Sequence, residues 1–145
     1  MAASLRQRTA IHEAAHAVCA LVFGIPVISV TVDDRPHLHR GRYHAPTRDL
    51  GFEAIAVLCL SGIAAEEMLC GPITDGGGLP DLLMVREHIA RSVANPLRAV
   101  AELLRCKSAA ERLVRSEFAR DRIGVLADAL LRHGTLSGEQ IHRII

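Results

Sequence analysis

Residues 4–23 contain neither Pro nor Gly and are rich in Ala, Leu and Val, so nothing in this stretch breaks a helix. Ser4, followed three positions later by Gln7, has the form of a capping box, and the spacing predicts a helix over 4–23. Inside it stands the run His12-Glu13-Ala14-Ala15-His16. Residues four apart on a helix lie one above the other, so the two imidazoles share a face and can reach one cation. Two histidines and a glutamate in so apolar a helix carry a desolvation penalty unless they are partnered, and a metal ion partners all three.

The chemistry this pattern suits is that of Zn²⁺. Hydrolytic zinc sites take neutral imidazole nitrogens among three protein ligands and leave a fourth position for water. Glu13, beside the two histidines, is the candidate general base for that water and the candidate carrier of its proton to a leaving amine. The third ligand is open. Position 22 is Val, so a third histidine six residues after His16 is absent, and Glu66, Glu67, Asp75, Asp81 and His88 are the candidates by chemistry. Asp81 sits where a first helical turn is expected to follow a Gly-rich loop, which would hold a short carboxylate rigidly; an ordinary helix-start Asp has the same position.

The rest of the chain reads as a small sheet followed by helices. Gly24 and Pro26 end the first helix, and the β-branched run 27–32 predicts a strand. Residues 41–45 read as a return strand, giving a hairpin or a ribbon of two or three strands. If the strand at 27–32 lies at a sheet edge, it is a surface for an extended peptide. Residues 49–69 are apolar enough to predict a helix buried on most sides, stopped by Gly71-Pro72. After Gly76-Gly77-Gly78 a further helix is expected over 79–94, with Pro80 at its start. Asn95-Pro96 interrupts the pattern, Ser108 with Glu111 reads as a capping box opening a long amphipathic helix to 133, and Ser137 with Gln140 caps a last helix to 145. The stripe Leu113, Phe118, Ile123, Leu126 and Leu130 reads as core, or in part as a homo-oligomer interface. With no repeat and no long linker, 1–145 is expected to be a single domain, mainly α in an α+β arrangement.

Charge and composition narrow the partners. Seventeen Lys plus Arg against sixteen Asp plus Glu leave a net charge of +1, which gives no reason to expect nucleic acid or an anionic membrane. Aromatic residues make up 3%, so the helices are expected to pack through small side chains. Cys19, Cys59, Cys70 and Cys106 form no close-spaced pair and read as reduced, mostly buried thiols. No secretory signal is visible at the start, and the longest uncharged apolar stretch, 54–65, is too short to span a bilayer; a cytoplasmic location without a membrane segment is the expectation. His37, His39 and His44, interleaved with Arg35, Arg40 and Arg42, suggest an exposed basic hairpin, or less directly a second metal site.

Four segments together resemble the peptidase domain of the FtsH family of ATP-dependent membrane zinc proteases. His12-Glu13-Ala14-Ala15-His16 resembles that family's HEAGH, with Ala15 in place of its glycine. Ser61-Gly62-Ile63-Ala64-Ala65-Glu66-Glu67-Met68 is similar to its GGRAAEEL, and Thr74-Asp75-Gly76-Gly77-Gly78-Leu79-Pro80-Asp81-Leu82 to its TTGAxNDL. Ala129-Leu130-Leu131 through Thr135-Leu136-Ser137-Gly138-Glu139-Gln140-Ile141 is similar to its closing LLexETLxGeeI. The resemblance implies a zincin-like helical metallopeptidase fold, Zn²⁺ held by His12, His16 and Asp81, Glu13 as catalytic base and Glu66 as a carboxylate beside the ligands. It implies a zinc metalloendopeptidase acting on unfolded or flexible polypeptide. The family's Gly-rich nucleotide-binding pattern is absent from this sequence, so cleavage is expected to be ATP-independent within these residues, or to depend on a separate ATPase or adaptor. The competing expectation is a non-catalytic peptidase-like module that holds a polypeptide without cutting it.

Overall fold

In the computed structural model, which describes residues 2–33, 42–44 (backbone), 51–74 and 76–145, the first helix α1 runs over Leu5–Val22. Both halves of the capping box form: the Ser4 hydroxyl accepts from the Gln7 N–H, and the Gln7 side chain accepts from the Ser4 N–H at 2.7 Å. Such a cap is worth about 1 kcal/mol. Nearly all of α1 from Thr9 to Ala20 is buried, and Ala10, Ala14, Ala15, Ala17 and Ala20 are wholly so. With only methyl groups on several sides, neighbouring helices can approach α1 closely, as the scarcity of aromatics led us to expect.

Helix α2, Phe52–Cys70, is buried at every position from Ile55 to Gly62, which for a helix means cover on all sides. It occupies the centre of the fold and packs against α1, α3 (Leu79–Ser92) and α4 (Pro96–Arg115). Helix α5, Glu117–His133, closes the far side of α1, and α6, Gly138–Ile144, follows. Asn95 caps α4, accepting from Leu97 N–H at 3.0 Å and Arg98 N–H at 3.1 Å, with Pro96 in the first turn where its missing N–H costs nothing.

Here the structure corrects the reading of Ser108 with Glu111 as a helix start. Helix α4 passes straight through both, and the break comes at Ser116, whose hydroxyl caps α5 by accepting from Ala119 N–H. An Asn-Pro start with two cap bonds outweighs a Ser-x-x-Glu match already inside a helix. The break also changes the phase of the stripe read as core. Ile123, Leu126 and Leu130 are wholly buried, whereas Phe118 is 52% exposed with the Arg122 guanidinium over its ring.

Three strands form one antiparallel sheet in the order β2-β1-β3, where β1 is Ser29–Thr31, β2 is Arg42–His44 and β3 is Thr135–Ser137. Val30 pairs with Tyr43 on one side and Leu136 on the other. The sequence reading missed β3, a three-residue strand squeezed between two helices. As a consequence β1 is the central strand, and the backbone edge considered for an extended peptide is already paired on both sides. His37 and His39 lie outside the described residues, and His44 contributes its backbone to β2. The four cysteines are free thiols, Cys70 partly exposed and the others buried. Among the described residues no helix is long and apolar enough to cross a membrane.

Candidate metal centre

Three elements bring the site together. Helix α1 supplies His12 and His16, one turn apart, with ring centroids 4.7 Å apart and planes at 79°. The first turn of α3 supplies Asp81. One nitrogen from each histidine and one Asp81 oxygen all lie within 4.8 Å of one another. His12 Nε2 is 2.8 Å from Asp81 Oδ2, and His16 Nε2 is 3.7 Å from Asp81 Oδ1.

The opposite ring nitrogens are held by α2. His16 Nδ1 lies 2.9 Å from the Leu58 carbonyl, which can only accept, so Nδ1 donates to it and Nε2 is turned toward Asp81. His12 Nδ1 lies 3.1 Å from Glu66 Oε2 and donates to it, which directs the His12 Nε2 toward Asp81 in the same way. The buried Ser61 hydroxyl also donates to the Leu58 carbonyl, at 2.6 Å.

Gly62 faces both imidazoles from α2. A Cβ there would stand 2.6 Å from His12 Nε2 and 2.7 Å from His16 Nε2, closer than real Cβ contacts come. A glycine in a helix interior costs about 1 kcal/mol relative to Ala. The space kept open before the two donor nitrogens is what the missing methyl leaves. Gly78 works similarly one element on: a Cβ would meet Ile63 at 2.6 Å, so its absence lets the start of α3, and with it Asp81, settle against α2.

The electrostatics fit a cation at this point. Burial alone would lower the pKa of His12, but hydrogen bonds to Asp81 and Glu66, and the charges of Asp81 and Glu13, raise it to about 10. Burial would raise that of Asp81, yet the bonds to His12 and His16 hold it well below the usual carboxylate range. Glu66, between His12 and Arg8, is likewise held low against its burial. Without a metal, a proton on His12 answers the negative surroundings; a divalent cation between the Nε2 atoms and Asp81 would answer them more fully. Two imidazoles and one carboxylate, with supporting bonds on both far nitrogens and a methyl-free wall, form a donor set that fits an ion such as Zn²⁺.

The sequence candidates divide clearly. His12, His16 and Asp81 converge, Glu66 supports His12 from behind, and Glu13, 7% exposed, lies next to His12 on α1. Glu67 is exposed and lines a shallow groove with Glu111 and Arg115, and His88 lies outside the converging group. Asp75 is outside the described residues. Sequence reasoning gave no role to Gly62, Ser61 or Arg8. A glycine and a serine in the middle of the most apolar helix were the available signal for the first two, since each lowers helix stability unless something requires it. No family model matches the chain and no curated protein matches it, so what the centre can do rests on its own donors.

Proposed function

We propose that the protein is a zinc-dependent endopeptidase that cleaves peptide bonds in unfolded or flexible polypeptide. The observation that carries this reading is the convergence of His12, His16 and Asp81 on the space left open by Gly62, with Glu13 beside it. The resemblance of four segments to the FtsH peptidase domain supports the same reading.

A bound zinc ion supplies Lewis acidity, polarising a peptide carbonyl and drawing the pKa of a water molecule toward about 7. His12 and His16 would hold the ion through Nε2, their rings oriented from the far side by Glu66 and the Leu58 carbonyl. Asp81 brings the negative charge that offsets the ion. Glu13 takes a proton from the attacking water as its oxygen bonds to the carbonyl carbon, then gives it to the amine nitrogen as the C–N bond breaks. A carboxylate and an amine leave. The missing side chain at Gly62 leaves room on the α2 side of the two Nε2 atoms. The substrate in this reading is a segment already extended, or one delivered by a separate ATPase or adaptor.

Purified protein is expected to hold about one zinc per chain, as a single site requires. Glu13→Gln is expected to keep that metal while cleavage of an unstructured, fluorogenic peptide falls by roughly 10²–10⁴-fold, the usual worth of a positioned base. Cleavage at the original rate in that variant refutes the mechanism. Full zinc content with no cleavage of any unstructured peptide by the original protein would point instead to a module that holds polypeptide without cutting it.

A further inference from the structure

Arg8 lies one turn before His12 on α1, and its side chain is only 14% exposed. Its guanidinium spends four N–H bonds on one small region. Nε donates to Glu66 Oε1 at 2.8 Å, Nη1 to the Cys70 carbonyl at 2.9 Å, and Nη2 to the carbonyls of Gly71 and Pro72, both at 2.9 Å. Three of these acceptors are carbonyls: Cys70 ends α2 and Gly71 caps it, so these two lie at the helix's negative end, and Pro72 is the next residue of the chain. The fourth is the carboxylate whose other oxygen holds His12 Nδ1.

We infer that Arg8 is a positioning residue for the metal centre, a clamp that fixes Glu66 against His12 and ties the chain leaving α2 toward Asp81 to the helix that carries both histidines. This rests on the proposed metal site. Two features separate such a clamp from an ordinary buried ion pair. First, Glu66 bridges two donors with one oxygen each, so its orientation, and through it the rotation of the His12 ring, depends on Arg8 occupying the other side. Second, the Gly71 and Pro72 carbonyls begin the connection that ends at α3, whose first turn holds Asp81. One planar fork thus joins α1 to Glu66 on α2 and to the start of the connection that leads to α3. A lysine keeps the charge but has a single ammonium on a flexible stem and cannot reach four acceptors in this fork geometry.

The test measures zinc affinity of the whole chain by competition with a chromophoric chelator, alongside thermal melting of the metal-free protein and the d–d spectrum of the Co²⁺ form. The variants are Arg8→Lys, Glu66→Gln and the double variant. Each single change is expected to weaken zinc binding roughly ten- to a hundred-fold, the usual cost of losing a partner behind a metal-bound histidine. The double variant is expected to lose little more than the weaker-binding single one, because both act through the same His12 contact. The Co²⁺ bands should shift in all three. Unchanged zinc affinity in Arg8→Lys, or losses that simply multiply in the double variant, would overturn the clamp while leaving the metal site standing. If Arg8→Lys does not fold, Glu66→Gln decides: unchanged affinity there overturns the clamp, and a loss with shifted Co²⁺ bands supports it. Failure of the original protein to bind zinc would overturn both.

Discussion

Gly62→Ala is the sharpest probe of the centre, because a single methyl enters at a place where the distances are known. Its carbon would lie about 0.8 Å inside the ordinary contact distance of 3.4 Å to His12 Nε2, and nearly as far inside it to His16 Nε2. Neither ring can turn aside without breaking its bond to Glu66 or to the Leu58 carbonyl. Nor can α1 withdraw, since it is enclosed by α2 and α5. Overpacking of this kind costs about 1–3 kcal/mol of stability, while replacing a helical Gly by Ala returns about 1 kcal/mol. The net change in the metal-free protein is therefore small, about 0–2 kcal/mol. Metal binding is another matter. Ligand distances in such sites hold to about 0.2 Å, so displacing both donors by several times that amount should weaken zinc affinity by about a hundred-fold or more. Gly124→Ala is the control. It lies inside α5 with nothing within 4 Å of its would-be Cβ, so the same substitution should raise the melting temperature by roughly 2–4 °C, from about 0.5–1 kcal/mol, and leave zinc affinity alone. Chelator competition and thermal melting on both variants check this. Zinc affinity in Gly62→Ala within about threefold of the original would refute the claim that the open space at residue 62 serves the donors, for a hundred-fold effect is what the distances demand.

Further expectations concern pH, the ligand set and the helix boundary. The folded His12 value of about 10 exceeds the ordinary 6.5, so in the metal-free protein the stabilisation from its charged ring is fully present below about pH 6.5 and fades as pH rises through about 10. Zinc binding at pH 8 should accordingly expel close to one proton from His12, measurable by calorimetry in buffers of differing ionisation enthalpy; zinc uptake without proton release contradicts that picture. Asp81→Asn should lose most zinc while keeping the helical circular dichroism, because the side chain is of similar size and sits at a helix start; retention of stoichiometric zinc at micromolar protein would remove Asp81 from the ligand set. Asn95→Ala should lower stability by about 1 kcal/mol and Ser108→Ala should not, since only the former caps a helix; equal effects in a denaturant titration would contradict the boundary at residue 95.

How far the sequence could be read depended on how local each cause was. The α1 capping box, the paired histidines and the last helix at 138–144 rest on contacts three or four residues apart, and a linear reading finds those. Helix α2 announced itself through a long unbroken apolar stretch. The start of α4 was misplaced because two local patterns competed, and the Pro-led one won. Strand β3 escaped notice because three residues carry too little pattern, and its partner lies more than a hundred residues away. At the centre, His12 and His16 are local to one helix, while Asp81 stood out among several candidates by its place after the Gly-rich loop and rose above an ordinary helix-start Asp only through resemblance. Arg8 was invisible for a related reason: its partners begin 58 residues later, and an arginine on an amphipathic helix start looks like any solvated charge.

The pairing of β1 with β3 has a consequence for the order in which the molecule is made. Thr31 meets Thr135 across 104 positions, and His12 meets Asp81 across 69. At synthesis rates of about 5–20 residues per second, α1 waits several seconds for its third donor, and β1 waits longer still for the strand that closes its second edge. Contacts of such high sequence separation form late and slow the folding of a helical chain. The helix bearing the paired histidines is therefore complete well before the aspartate exists to confine an ion there. The flank of α1 that α5 covers stays open longer still, until the last fifth of the chain has been made.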